Sequence, residues 1–235
     1  MISKTHNRRN DTAPIPVHMA SWQLALKRFF DFVCALMGLI LFSPVFVVIY
    51  IALLLQRDGN PIFSQERVGM GGRIFKIYKF RSMHVGAENG TPVLAQKQDA
   101  RLTPIGKFLR NHHLDELPQL WNVLKGDMSF VGYRPERKYF IDQIMQHDVR
   151  YASLYQMRPG ITSDATIYNG YTDTMEKMLR RLEYDLYYLG HRSWWFDFKV
   201  LFNTFCAIVL HLQKNVVIGG TGLPFAGAFL PRDLE

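Results

Sequence analysis

The chain has 235 residues, a formal net charge of +8 and 48% hydrophobic residues. That is enough for one domain of roughly 150–200 residues plus an anchor, with a core that needs no disulfide or structural metal. Its two cysteines, Cys34 and Cys206, each sit in an apolar run, which excludes a disulfide framework and a cysteine-based zinc site. The basic excess leaves three partners open: nucleic acid, an anionic membrane surface or a phosphate-rich substrate.

Residues 1–20 are polar, contain Pro14 and Pro16, and show no periodicity, which predicts a mobile tail. From Phe29 to Leu55 the chain is almost continuously apolar. As one straight helix this run would measure roughly 40 Å, more than the roughly 30 Å of a bilayer's hydrocarbon. It starts too late and runs too long for a cleavable signal peptide. Ser43-Pro44 lies near its centre, where proline removes a donor and bends a helix. Lys27 and Arg28 precede the run, and Arg57, Arg67 and Arg73 follow it, so the positive-inside bias holds both ends on the same side. A tilted span and a re-entrant helix that turns at Ser43-Pro44 both remain open on these grounds. In the re-entrant form Asp31 lies near the interface and not deep in lipid, where a charge is costly.

Beyond the anchor, residues 61–63 and 73–83 read as extended segments on either side of a loop with Gly69, Gly71 and Gly72, and in 73–83 apolar and basic residues alternate as in a half-buried strand. Residues 84–100 read as a flexible loop. Thr103-Pro104 starts a helix, with threonine as cap and proline in the first turn. A second helix is expected from Asp115, with Leu117, Leu120, Trp121 and Leu124 on one face and Gly126 as its stop. Further helices are expected at about 136–148 and 174–189. A last one, 194–212, is capped by Ser193, and its Trp194 and Trp195 suit a membrane interface. It lies on the membrane or packs on the anchor, with a second span as the alternative.

There is no Walker loop, Gly69 to Gly72 lacks dinucleotide-fingerprint spacing, and adjacent His112 and His113 make a poor metal pair. The informative stretch is 108–136. Asp115-Glu116 stands just before Pro118 at an expected helix start. Aspartate is a favoured cap and glutamate suits a first turn. Equally, a carboxylate kept ionised by the free N–H groups of a helix end can attack phosphorus or hold a metal. Arg110 lies upstream and Arg134 downstream, and arginine forks match phosphate oxygens. The residues alone leave both readings open.

In combination, several segments resemble the monotopic phosphoglycosyl transferases, the bacterial sugar transferase family. They are Lys27-Arg28 before an apolar helix broken at Ser43-Pro44; Tyr78 to Met83; Arg101-Leu102-Thr103 with Gly106 to Arg110; Leu114 to Leu120; Lys125 to Ser129; and Arg158 to Thr162. The resemblance covers about Lys27 to Phe205. It implies an α+β fold, mainly helical with a small β-sheet, carrying an N-terminal re-entrant membrane helix broken at Ser43-Pro44 and interfacial helices. The division is then a tail at 1–20, a re-entrant helix at 21–57, a membrane-associated catalytic domain at 58–212 and a C-terminal tail at 213–235.

The implied chemistry moves a sugar-1-phosphate from a UDP-sugar to polyprenyl (undecaprenyl) phosphate with Mg2+ and release of UMP, at the cytoplasmic face of a bacterial inner membrane. Asp115 matches the nucleophile and Glu116 its partner acid, with both as candidate metal ligands. Arg110, Arg134, Lys79 and Arg81 match positions expected to bind substrate. Membrane lipids are expected partners, nucleic acid is not, and a homodimer is allowed. Tyr133 stands where many members have proline, and Ser163-Asp164-Ala165 where many have Gly-Trp-Ala, so no sugar is assigned from that loop. A non-enzymatic adaptor that binds anionic lipid through its basic face is the alternative.

Overall fold

The computed structural model describes residues 15, 19–88, 90, 92–94, 96, 99–169 and 172–216, with side chains as far as 208. Most of the two expected tails, and parts of the expected 84–100 loop, lie outside these residues. The apolar run forms two helices, α1 (Ser21–Leu41) and α2 (Ser43–Gln56), bent from one another by 60°. Pro44 opens α2, and the Ser43 hydroxyl donates to the Ile40 carbonyl at 2.8 Å. This satisfies one of the carbonyls that the break strips of its helical donor. No single helix among the described residues is long and apolar enough to cross a membrane, whereas the bent pair together passes that test of length and composition. The expected helix-break-helix is therefore what forms.

Strands β1 (Ile62–Val68) and β2 (Ile74–Phe80) pair antiparallel, with Phe63 opposite Lys79. Helix α3 (Pro104–Asn111) starts as its sequence predicts, the Thr103 hydroxyl accepting from the Gly106 amide at 2.9 Å. Then follow α4 (Gln119–Lys125), β3 (Ser129–Val131), α5 (Lys138–His147), β4 (Gly160–Thr162), α6 (Asp164–Tyr168), α7 (Met175–His191) and α8 (Trp194–Val216). Strands β3 and β4 pair in parallel. This short ladder was not anticipated, because three residues are too few to show a period. A Cβ on Gly160 would lie 2.2 Å from the Gly132 amide nitrogen, so the two backbones approach as only glycine allows. Two of the sequence markers meet here as well: Arg158 Nε donates to the Gly126 carbonyl at 2.9 Å.

Three apolar clusters hold these elements. The largest gathers β3, α5, α7 and α8 around Tyr133, Leu154, Leu182 and Leu189. The second joins α1, β2 and α4 through Ala35, Ile77, Val123 and Met128. The third joins α2, β2 and α3 through Ile49, Leu53, Phe80 and Leu109. Each fully buried aliphatic side chain stabilises by about 1.5–3 kcal/mol, so the anchor helices are part of the domain's own core.

Polar contacts reinforce that union. Asp31 is buried, accepting from the Ser129 hydroxyl at 2.8 Å and from the Phe130 amide. Strand β3 supplies the hydrogen bonds that make its burial tolerable. Arg28 donates to the Val123 and Leu124 carbonyls at 2.6 and 2.8 Å, and Lys27 pairs with Asp197 of α8 at 2.6 Å. Helix α8 packs on the anchor, with Trp194 edge-on to Phe30. It runs to Val216, four residues beyond its expected end at 212.

Candidate active site

Asp115 and Glu116 occupy a tight 3-10 turn, Leu114–Glu116, between α3 and α4. The chain enters it through His113 at φ 55°, a left-handed conformation that costs a non-glycine residue about 1–2 kcal/mol. The helix expected from Asp115 begins only at Gln119, after Pro118. Neither acid is therefore a helix cap, and a seven-residue α4 starting four residues after Asp115 does not hold it ionised through its dipole. The apolar face also differs from expectation. Leu120 and Val123 are buried, but Trp121 is exposed and the two other buried residues of α4, Gln119 and Asn122, are polar.

Asn122 explains how the turn meets β2. Its side-chain oxygen accepts from the Tyr78 amide at 3.0 Å, and its nitrogen donates to the Lys76 carbonyl at 2.7 Å. This brings Lys79 to the acids: Lys79 Nζ lies 2.5 Å from Glu116 Oε1. Arg134, which follows β3, reaches the same oxygen from the other side at 3.3 Å. Arg110, in the last turn of α3, adds its charge at Asp115. Two segments distant in sequence, β2 and the stretch after β3, thus converge with the end of α3 on one turn. Arg81 is placed elsewhere, donating to the Asn60 carbonyl at 2.7 Å with its guanidinium 5.8 Å over the Phe63 ring.

The two carboxyls are held differently. Burial opposes ionisation of Glu116, but the charges of Lys79 and Arg134 outweigh it and hold that carboxyl far below the usual range. Asp115 is 6% exposed. Burial raises its carboxyl above the ordinary aspartate value, and the adjacent Glu116 charge raises it further, against the opposing pull of Lys79, Arg110 and His113. The result is an aspartate more basic than normal beside an acid that is fully ionised. Arg134 is locked in its charged form, chiefly by Glu116.

A hard cation such as Mg2+ is commonly held by one or two carboxylates that share it with substrate phosphates. Among the described residues no group of three or more His, Cys, Asp or Glu is gathered as a metal cluster. The adjacent Asp115 and Glu116 carboxyls provide a donor pair of the shared kind, although one Glu116 oxygen is already engaged by Lys79 and Arg134.

Sequence reasoning missed His113, Asn122 and a second charged cluster behind Arg134. There Glu136 is buried, accepts from Arg181 Nη1 at 2.5 Å and lies 3.6 Å from Arg67. The one available signal for Asn122 was a polar residue inside an otherwise apolar helical face. Glu136 and Arg181 are 45 residues apart, and nothing local marks such a pair.

Comparison with known proteins agrees with this architecture. The family profile described as bacterial sugar transferase matches residues 22–211. The chain is 37% identical over 203 residues to UDP-N-acetylgalactosamine-undecaprenyl-phosphate N-acetylgalactosaminephosphotransferase of Aeromonas hydrophila, covering 86% of this chain and 47% of that protein. It is 41% identical over 207 residues to UDP-glucose:undecaprenyl-phosphate glucose-1-phosphate transferase of Escherichia coli K12, covering 85% and 45%. Over 120 residues it is 52% identical to a protein of Bacillus subtilis named as a putative undecaprenyl-phosphate N-acetylgalactosaminyl 1-phosphate transferase, covering 51% and 67%. The chain thus spans less than half the length of the first two relatives. With a profile match across most of its residues and a bent anchor built into its core, the chain belongs to the bacterial sugar transferase family.

Proposed function

We propose that this chain transfers a sugar-1-phosphate from a UDP-sugar to a polyprenyl phosphate through a covalent intermediate on Asp115. The observation that carries the reading is a buried, unusually basic aspartate within reach of the charges of Lys79, Arg110 and His113, beside a glutamate paired to Lys79 and Arg134. Raised basicity makes a carboxylate a stronger nucleophile, and the surrounding cations stabilise charge developing on phosphoryl oxygens.

In the first half-reaction an Asp115 carboxylate oxygen attacks the sugar-linked phosphorus of the donor. The bond from that phosphorus to the bridging oxygen breaks, and UMP departs with that oxygen. In the second, an oxygen of polyprenyl phosphate attacks the same phosphorus. The acyl-phosphate bond breaks, returning Asp115 as a free carboxylate and yielding a polyprenyl diphosphate sugar. Arg134 and Lys79, already aligned on Glu116, are placed to neutralise phosphate oxygens, and Arg110 adds a further cation near Asp115. Asp115 and Glu116 are the residues that would hold Mg2+, which when bound neutralises diphosphate charge.

The bent helix pair supports a membrane location for this chemistry. The outer faces of α1 and α2 leave Leu41, Val48 and Leu55 more than two-thirds exposed, an apolar surface that lipid would cover. The reading is a re-entrant pair with both ends on the cytoplasmic face of a bacterial inner membrane. Incubating the purified chain with UDP-sugars one at a time and Mg2+, without acceptor, tests the order of steps. The correct donor releases about one equivalent of UMP and leaves Asp115 heavier by one sugar-phosphate in a mass spectrum. A donor that turns over only when acceptor is present, with no adduct, overturns the covalent route.

A further inference from the structure

Helices α1 and α8 begin side by side, joined by the Lys27–Asp197 pair and the Phe30–Trp194 contact. Between their N-termini lies a cavity of about 300 Å³, lined by Met19, Gln23, Gly190, His191, Arg192 and Ser193. Arg192 is only 6% exposed, and its buried Nε has no hydrogen-bond partner among the described residues. A charge so placed is costly unless paired. Burial lowers its pKa, with Tyr188 and Asp197 acting the other way. Asp197 does not relieve it by direct contact, being bound by Lys27 and by the Tyr188 hydroxyl.

The rest of the lining is also donor-rich. The side-chain oxygen of Gln23 accepts from the Ala20 amide at 2.9 Å, which leaves its NH2 group to donate. The Ser193 oxygen accepts from the Phe196 amide at 3.2 Å, which leaves its hydroxyl hydrogen. His191 Nδ1 lies 2.9 Å from the Tyr187 carbonyl, so that hydrogen is spent. In the opening turns of α1 and α8, helices of 21 and 23 residues, the Ala20, Gln23, Phe196 and Asp197 amides are already bonded within the turn, so beyond Arg192 these ends contribute chiefly the positive poles of two macrodipoles.

We infer that this cavity binds a phosphate group, carried by a phospholipid headgroup or as the free anion, with Arg192 as its principal ligand. Arginine's fork matches phosphate oxygens, and the cavity is larger than one phosphate, leaving room for an ester substituent. It is separate from the Asp115 turn. Gly38 of α1 packs on Leu120 at the start of α4, and the stretch of α1 from Gly38 back to Gln23 spans about 22 Å.

The test uses the full chain in a phosphate-free detergent, as wild type, Arg192→Gln and Arg192→Lys. Thermal midpoints are followed against inorganic phosphate, then in bilayers of phosphatidylglycerol or of a phosphate-free galactolipid. Without phosphate, Arg192→Gln melts at or above wild type, because an unpaired buried cation has been removed. With phosphate or phosphatidylglycerol the wild type gains stability, Arg192→Gln binds at least tenfold more weakly, and Arg192→Lys falls between. A response to inorganic phosphate identifies the free anion as sufficient. A response to phosphatidylglycerol alone, and not to galactolipid, identifies a lipid headgroup. Phosphate bound at the Asp115 turn stabilises all three forms alike and drops out of the comparison. Identical responses of wild type and Arg192→Gln to both probes would overturn the inference, as would loss of fold by Arg192→Gln in phosphate-free buffer.

Discussion

Asp115 and Asp185 are both buried aspartates set near arginines, and burial pushes both carboxyls upward. At Asp115 the Glu116 charge adds to that push, and Lys79 of β2 and Arg110 of α3 act against it. At Asp185, on α7, Arg181 opposes burial, but Glu136 and Asp164 act in the same direction as burial and the carboxyl is pushed up to about 8. At neutral pH Asp185 is therefore mostly a neutral acid. Arg134 belongs to both neighbourhoods: it reaches Glu116 on one side and lines a small cavity with Glu136, Tyr151 and Asp185 on the other. Burial and a neighbouring acid push both carboxyls up, and the balance of acids against nearby cations decides how far each one goes.

The comparison breaks most sharply at Asp115 itself. Asp115→Asn removes the nucleophile and should lower UMP release by on the order of 10⁴-fold or more while leaving the thermal midpoint unchanged or higher. A variant that keeps a tenth of wild-type turnover would mean that Asp115 does not attack.

A smaller loss is expected at the cations. Lys79→Met should cost about 10²-fold in kcat. It also removes the charge that chiefly counters burial at Glu116, so that carboxyl becomes ionised only at higher pH. The acid limb of the kcat profile should move upward, and an unmoved limb would sever Lys79 from Glu116's ionisation.

The least effect on turnover, but a distinct one on stability, is expected at Asp185. Its folded value of about 8 lies above that of a free aspartate near 3.8, so between these values the native state binds more protons than the unfolded chain. The stability due to the neutral acid is fully present below about pH 4 and is lost as pH rises through about 8. Asp185→Asn should remove up to one proton from the slope of unfolding free energy over that window, measured by denaturant titration at several pH values. An unchanged slope would show that Asp185 is ionised in the fold.

Much of the architecture was legible in local pattern. The bend at Ser43-Pro44, the Thr103 cap, the β1–β2 pair and the stop at Gly126 each follow from the chemistry of one or two residues. Lys79, Arg134, Asp115 and Glu116, all named from sequence, do come together, whereas Arg81 turns to Asn60 and Phe63. The start of α4 was misread because left-handed His113 and the following Pro118 delay the helix. The contacts of Lys27, Arg28 and Asp31 within the fold were not foreseen for another reason. Charges beside an apolar helix were read against the membrane, but the fold binds them to Asp197, to the end of α4 and to β3.

The longer helices, the β1–β2 segments, the break in the anchor and the pair of adjacent acids were determined by the sequence itself, because proline, glycine, caps and hydrophobic period act over a few residues. Tertiary structure alone decided that Asp115 would be basic and Glu116 ionised, that Asp185 would be neutral, and that Arg192 would sit buried beside a cavity. A carboxyl's proton and a guanidinium's partner depend on charges and burial supplied by segments tens of residues away, and no local pattern records them.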